Sequence, residues 1–182
     1  MASTLMFALP TATAIAGTAC TITGTPGNDH LAGTSGQDVI CGRGGDDRIR
    51  GLGGGDILRG GRGDDDLFGN SGADVLIGGP GSDFMVAGRG RDVATGGQGA
   101  DFSGVSSQGQ DLWRGGAGRD HLTDFAGRDQ IAGGTGGDTC LATQDGTGGD
   151  RIHGGPGRDI GDADSGDTIV GVEVQGVTCF AD

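Results

Sequence analysis

The large apolar residues of this chain recur at intervals of nine, a period that fits neither one helix face nor a long alternating strand. Leu31, Ile40, Ile49, Leu58, Leu67, Leu76 and Met85 keep that beat without a break. Trp113, Leu122, Ile131, Cys140, Ile152 and Ile169 continue it further on. Each sits in a triplet such as "DLF" at 66–68 or "VLI" at 75–77, which predicts a short strand. Alternation along that strand sends the eighth residue of each nonapeptide inward and the seventh and ninth outward. The six residues before it are rich in glycine and end in aspartate, which predicts a turn. A three-residue strand cannot persist alone, so successive coils must stack and supply one another's hydrogen-bond partners. The inward column thins at Ala94, Ser103 and Gly161, and an insertion near residues 104–108 predicts a bulge or joint between two stacks.

The sixth place is more regular still. Asp29, Asp38, Asp47, Asp56, Asp65, Asp74, Asp83, Asp92 and Asp101 follow at nine-residue intervals. After one extra residue come Asp111, Asp120, Asp129 and Asp138, and after three more Asp150, Asp159 and Asp167. Glycine supplies 45 of the 182 residues, aromatics only 4%, and the formal net charge is -13. Such a composition without a period would suggest disorder; with one, it points to a repeat architecture. All basic residues are arginine and none cluster, so nucleic acid is not an expected partner. The acidic excess suits cations.

The units "GGRGDDDLF" (60–68) and "GGPGSDFMV" (78–86) resemble the G-G-x-G-x-D-x-U-x repeats of RTX (hemolysin-type) calcium-binding proteins. The resemblance spans about residues 24–170. It implies an all-β fold, a right-handed parallel β-roll (β-solenoid) with two nonapeptides per coil, and multiple Ca²⁺ ions held between the turns of neighbouring coils. The chemistry of the residues agrees. Calcium takes about 6–8 oxygens from carboxylates and backbone carbonyls. Glycine lets a turn aim its carbonyls inward, and aspartate adds charge on a short stem. All sixteen sixth-place aspartates are therefore candidate ligands. Two units per coil would stack Asp29, Asp47, Asp65, Asp83 and Asp101 on one edge and Asp38, Asp56, Asp74 and Asp92 on the other. The nine uninterrupted turns would allow about seven full sites. With so few large apolar residues, folding is expected to depend on the metal.

The remaining features organise around that array. Residues 1–19 form an apolar leader, a possible signal-peptide remnant without a basic n-region; 20–170 form the roll; 171–182 form a C-terminal capping strand. Cys20, Cys41, Cys140 and Cys179 lie near the two ends of the array. They read as two disulfides, Cys20 with Cys41 and Cys140 with Cys179, in an oxidising, extracellular compartment; free thiols are the alternative. Val39, Ile57, Val75 and Val93 are seventh-place residues that should form an apolar stripe. That stripe is either ordinary strand propensity or a surface for self-association or protein docking. His30, His121 and His153 read as solvated surface, Trp113 as core, and the fifth-place arginines Arg91, Arg119, Arg128 and Arg158 as either charge compensation or solubilising surface. The "RGD" at 62–64 is part of a repeat. Neither G-x-S-x-G nor H-E-x-x-H occurs, so no enzyme is expected, and no membrane insertion. The function expected is that of a secreted calcium-binding roll. The alternatives are a calcium-dependent adhesion or scaffold solenoid, and the detached tail of a secreted enzyme or toxin.

Overall fold

The computed structural model describes residues 18–104, 109–143, 146 and 149–175. Among them every regular element is a β-strand. The strands wind into a parallel solenoid with sheets on two sides. One side is a single nine-stranded sheet that runs the full length, built from strands such as Ile57–Arg62, Val75–Pro80 and Val93–Gly99. The other side is divided into a five-stranded and a four-stranded sheet. The register confirms two units per coil: Ile57 lies beside Val75 and Val75 beside Val93 on one side, Leu67 beside Met85 on the other.

The inward column forms the core as the nine-residue period requires. From the nine-stranded sheet come Ile40, Leu58, Leu76, Ala94, Trp113, Ile131 and Ile152; from the other side come Ile49, Leu67, Met85 and Leu122, all buried. Trp113 lies in register beside Ala94, so its large ring fills the space that the thin part of the column leaves.

Three expectations are corrected. From Val39 to Gly99 the strands are six or seven residues long rather than three, because they continue through the first three places of the next unit, as in Asp66–Ser71 and Phe84–Arg89. The first place of these units is glycine or alanine, so adjacent backbones approach and hydrogen-bond into the ladder, and the turn contracts to about the last three of the six places. Second, Cys140 is not a core residue. It adopts φ +59° and Leu141 takes its place, buried and in register with Leu122. One extra residue is absorbed there, and the inward role passes to the next apolar side chain. Third, Val39 does not open the stripe to solvent. It is buried, with the Thr21 hydroxyl hydrogen-bonded to its backbone N–H (2.9 Å).

The joint expected near 104–108 exists on one side only. The five-stranded sheet ends at Phe102–Ser103 and the four-stranded sheet begins at Leu122–Asp124, while the nine-stranded sheet passes through. Residues 105–108 lie outside the described residues. The buried Ser103 hydroxyl bridges the gap, accepting from the Thr123 N–H (2.6 Å) and donating to the Thr123 carbonyl (3.1 Å). Phe84, Phe102 and His121 stack across it on the outer surface, with centroids 5.7 and 4.5 Å apart. At the N-terminal end a disulfide joins Cys20 to Cys41, as expected. Cys140 is also disulfide-bonded; its expected partner, Cys179, lies outside the described residues, as does the leader to residue 17. The tail supplies Val174–Gln175, which pairs with Ile160–Gly161 as the last strand of the four-stranded sheet.

Candidate metal sites

The sixth-place aspartates stand in two continuous ladders, one along each edge of the solenoid. In each, one carboxylate oxygen, Oδ1, accepts a hydrogen bond from the backbone N–H of the aspartate one coil earlier. Asp47 N–H donates to Asp65 at 2.8 Å, Asp65 to Asp83 at 2.9 Å and Asp83 to Asp101 at 2.9 Å. The pattern continues through Asp120 and Asp138 to Asp159. The second ladder runs from Asp38 through Asp56, Asp74, Asp92, Asp111, Asp129 and Asp150 to Asp167. Insertions change the rung separation to 19 or 21 residues without breaking either ladder.

The second oxygen has a different fate. In Asp47, Asp56, Asp65, Asp74, Asp83, Asp92, Asp101, Asp120, Asp138, Asp150 and Asp159 the Oδ2 atom is buried with no hydrogen-bond partner. Leaving a buried carboxylate oxygen unpaired is costly, so each such atom calls for a ligand. First-place glycine makes room for it. A β-carbon at Gly51 would collide with Asp56 Oδ2 and approach the Gly69 carbonyl oxygen to 2.8 Å. At Gly78 it would collide with Asp83 Oδ2 and approach the Gly96 oxygen to 2.8 Å. A carboxylate oxygen from one coil and a carbonyl oxygen from the next thus converge above the same α-carbon. Nitrogen and sulfur donors are absent from this convergence, which matches a hard cation that prefers oxygen. Asp92 differs, since its unit begins with Ala87, whose buried methyl stands where most other units have hydrogen.

The ladder is electrostatically strained without a cation. Burial pushes the carboxyls of Asp65, Asp74 and Asp120 up to about 6, and those of Asp83 and Asp92 up to about 7. The backbone donor opposes that rise and the charges of stacked aspartates add to it. Asp47, Asp56, Asp101 and Asp138 are raised for the same leading reason.

The sixteen expected ligands are not equivalent. Asp29 and Asp38 lie at the N-terminal end, where second-place threonines satisfy Oδ2. Thr25 N–H and hydroxyl reach Asp29 at 2.6 and 2.9 Å, and Thr34 reaches Asp38 at 2.7 and 2.8 Å. The Thr34 hydroxyl holds the Asp38 carboxyl below its ordinary value. Asp167 closes the other end, with Oδ1 accepting from Gly149 and Asp150 and Oδ2 from Asp164. Asp111 and Asp129 are joined by a residue the sequence reading passed over, Asp124. Carboxylate oxygens of these three buried residues lie within 4.8 Å of one another. Asp124 occupies the first place of the unit that contains Asp129, where most units have glycine, and that departure was its signal. It accepts from Trp113 Nε1 at 2.7 Å and from Phe125 N–H at 2.9 Å. Burial pushes Asp124 up to about 7; burial, then the charge of Asp124, pushes Asp129 to about 8.

Fold and sites together define a parallel β-solenoid built to hold cations between stacked Gly/Asp turns. The sequence profile of the RTX calcium-binding nonapeptide repeat matches residues 21–49, 42–76, 50–85, 77–102, 106–140 and 144–170. The chain belongs to that family, and calcium is the ion its repeats imply. A search of curated protein sequences gave no match.

Proposed function

We propose that the protein is a secreted, non-enzymatic calcium-binding β-roll, in which Ca²⁺ captured between turns makes folding favourable. The observation that carries this reading is the column of buried Oδ2 atoms without partners. The backbone N–H groups fix Oδ1 and so orient each carboxylate, leaving Oδ2 directed at the carbonyl of the next coil. When bound, Ca²⁺ supplies the positive charge that stacked carboxylates lack and joins neighbouring coils through oxygen ligands. Each site with a Kd tenfold below the ambient calcium concentration adds roughly 1.4 kcal/mol to stability, and the array multiplies that gain. Secretion is supported by the Cys20–Cys41 disulfide, a bond suited to an oxidising compartment, and by the apolar leader. A non-enzymatic role is supported by the share of the chain given to repeats and the lack of a hydrolase or metalloprotease motif.

Isothermal titration with Ca²⁺, paired with the fluorescence of the single tryptophan, tests the reading. Several ions should bind per chain, and Trp113 emission should change as the Asp111–Asp124–Asp129 cluster fills or the roll forms around it. Binding of one ion or none would overturn it. A second role, as docking solenoid or adhesion scaffold, is favoured by the half-buried column Ile57, Val75 and Val93, which stands in unbroken register on the nine-stranded sheet. If that column mediates self-association, Val75→Asp lowers the mass measured by light scattering while calcium binding persists; an unchanged mass rejects self-association through it.

A further inference from the structure

The two sides of the solenoid carry different chemistry. The chain has 25 acidic residues, yet no strand of the nine-stranded sheet contains aspartate or glutamate. Those strands instead carry Arg43, Arg59, Arg62, Arg114, Arg151 and His153. The opposite sheets carry Arg48, Arg50 and Arg89 but balance them with acids at Asp66, Asp124 and Asp162. A cationic face on a strongly acidic protein is a separation of charge that the metal ladders do not require.

Three of these six, Arg114, Arg151 and His153, gather at one place. A depression of about 310 Å³ opens on this sheet, walled by Leu112, Arg114, Ala132, Arg151, His153 and Val170. Its shape follows from the register. Arg114, Ala132 and His153 are successive neighbours across three strands, and the small Ala132 leaves the space between the two larger side chains. Arg151 stands on the same strand as His153, two residues earlier. All three basic side chains are exposed, and among the described residues none has an acidic partner; the ion pair present is Arg158 with Glu173, 3.8 Å apart. Two guanidiniums with free donors and an imidazole around one hollow suit an oxyanion, which a guanidinium binds through paired N–H groups.

The apolar stripe leads into that hollow. Ile57, Val75, Val93 and Leu112 are neighbours in register, all half-buried, and Leu112 is also part of the wall. Three strand spacings of about 4.8 Å make this a track of roughly 14 Å. We propose that the face binds an anionic amphiphile: the oxyanion headgroup sits between Arg114, Arg151 and His153, and the apolar body lies along Leu112, Val93 and Val75. The charge of the hollow selects the head, and the uncharged column beside it selects the tail. This names the chemistry of the docking face proposed above and rests on that face being open to a ligand.

The test is titration of the calcium-loaded protein with decyl sulfate below its micelle concentration, with circular dichroism on the same samples to report the fold. Inorganic sulfate and decyl maltoside are the two comparison arms. Decyl sulfate is expected to bind at least tenfold more tightly than either. The double variant Arg114→Gln, Arg151→Gln should lose at least tenfold in affinity with its strand signal unchanged, and Arg48→Gln, on the opposite sheet, should lose nothing. Equal affinity for decyl maltoside would show an apolar surface without anion selection and overturn the proposal. Equal affinity for inorganic sulfate would remove the role of the stripe and overturn it likewise. Undiminished binding by the double variant, or a light-scattering mass showing that a second copy already covers this face, would do the same. Loss of calcium binding itself appears separately, as loss of the strand signal.

Discussion

Protons should partly replace calcium. In the metal-free roll at neutral pH the buried aspartates must either ionise without a partner or hold a proton that water would remove. Asp83 shows the size of the effect, its carboxyl being raised from 3.8 to about 7. Three units at 1.36 kcal/mol each amount to about 4 kcal/mol of folded-state penalty. Asp92 has a similar shift, and two such groups together approach the whole ~5–15 kcal/mol stability of an ordinary domain. For an acid raised in the folded state, the penalty is absent below the unfolded value. It grows as pH rises from about 3.8 and is complete above the folded value, here about 6 to 8. Metal-free protein, exhaustively dialysed, should therefore gain strand signal in far-ultraviolet circular dichroism at pH 3.5 relative to pH 7.5, with gel filtration confirming that no aggregate contributes. Calcium affinity should also fall as pH drops toward about 3.8, the unfolded carboxyl value, where protons compete for the same oxygens. Strand content that is the same at pH 3.5 and 7.5 without metal would refute carboxylate ionisation as the barrier to folding.

Other consequences concern single residues. Leu52 adopts φ +78° at a half-exposed second place, so Leu52→Gly should relieve strain and raise the stability of the calcium-loaded roll by about 1 kcal/mol; a lower melting midpoint would contradict this. Gly78→Ala places a methyl against Asp83 Oδ2 and the Gly96 oxygen, and should cost about 1–3 kcal/mol and weaken calcium binding, as read by calorimetric titration. Leu76→Ala empties one rung of a fully buried column and should cost about 2–5 kcal/mol in calcium-loaded denaturation, with the number of bound ions unchanged.

Much of this architecture was legible because period nine is both a turn code and a core code. The eighth-place residues from Ile40 to Met85 pack inward as their spacing required, and the two stacked edges of aspartates appear as two hydrogen-bonded ladders. The unforeseen parts depend on backbone pairing and on neighbours distant in sequence. Strands extend through the glycines because those backbones can pair closely, a property no hydrophobic pattern reports. Cys140 yields its place to Leu141 because a local bulge resets the register. Asp124 escaped notice because its partners, Trp113 and Asp111, lie eleven and thirteen residues earlier, and its departure from glycine at the first place says nothing of them. The threonine capping of Asp29 and Asp38 was present in "GTPGND" and "GTSGQD", but its meaning emerged only once Oδ2 was seen to lack donors elsewhere.

Far-ultraviolet circular dichroism at pH 7.5, recorded first with millimolar calcium and then after excess chelator, addresses the central claim most directly. Strand signal that is present with calcium, lost on chelation and restored by added calcium is the result expected of coils joined through cations. An identical strand spectrum in both conditions would show that the roll stands without metal, and would contradict the account.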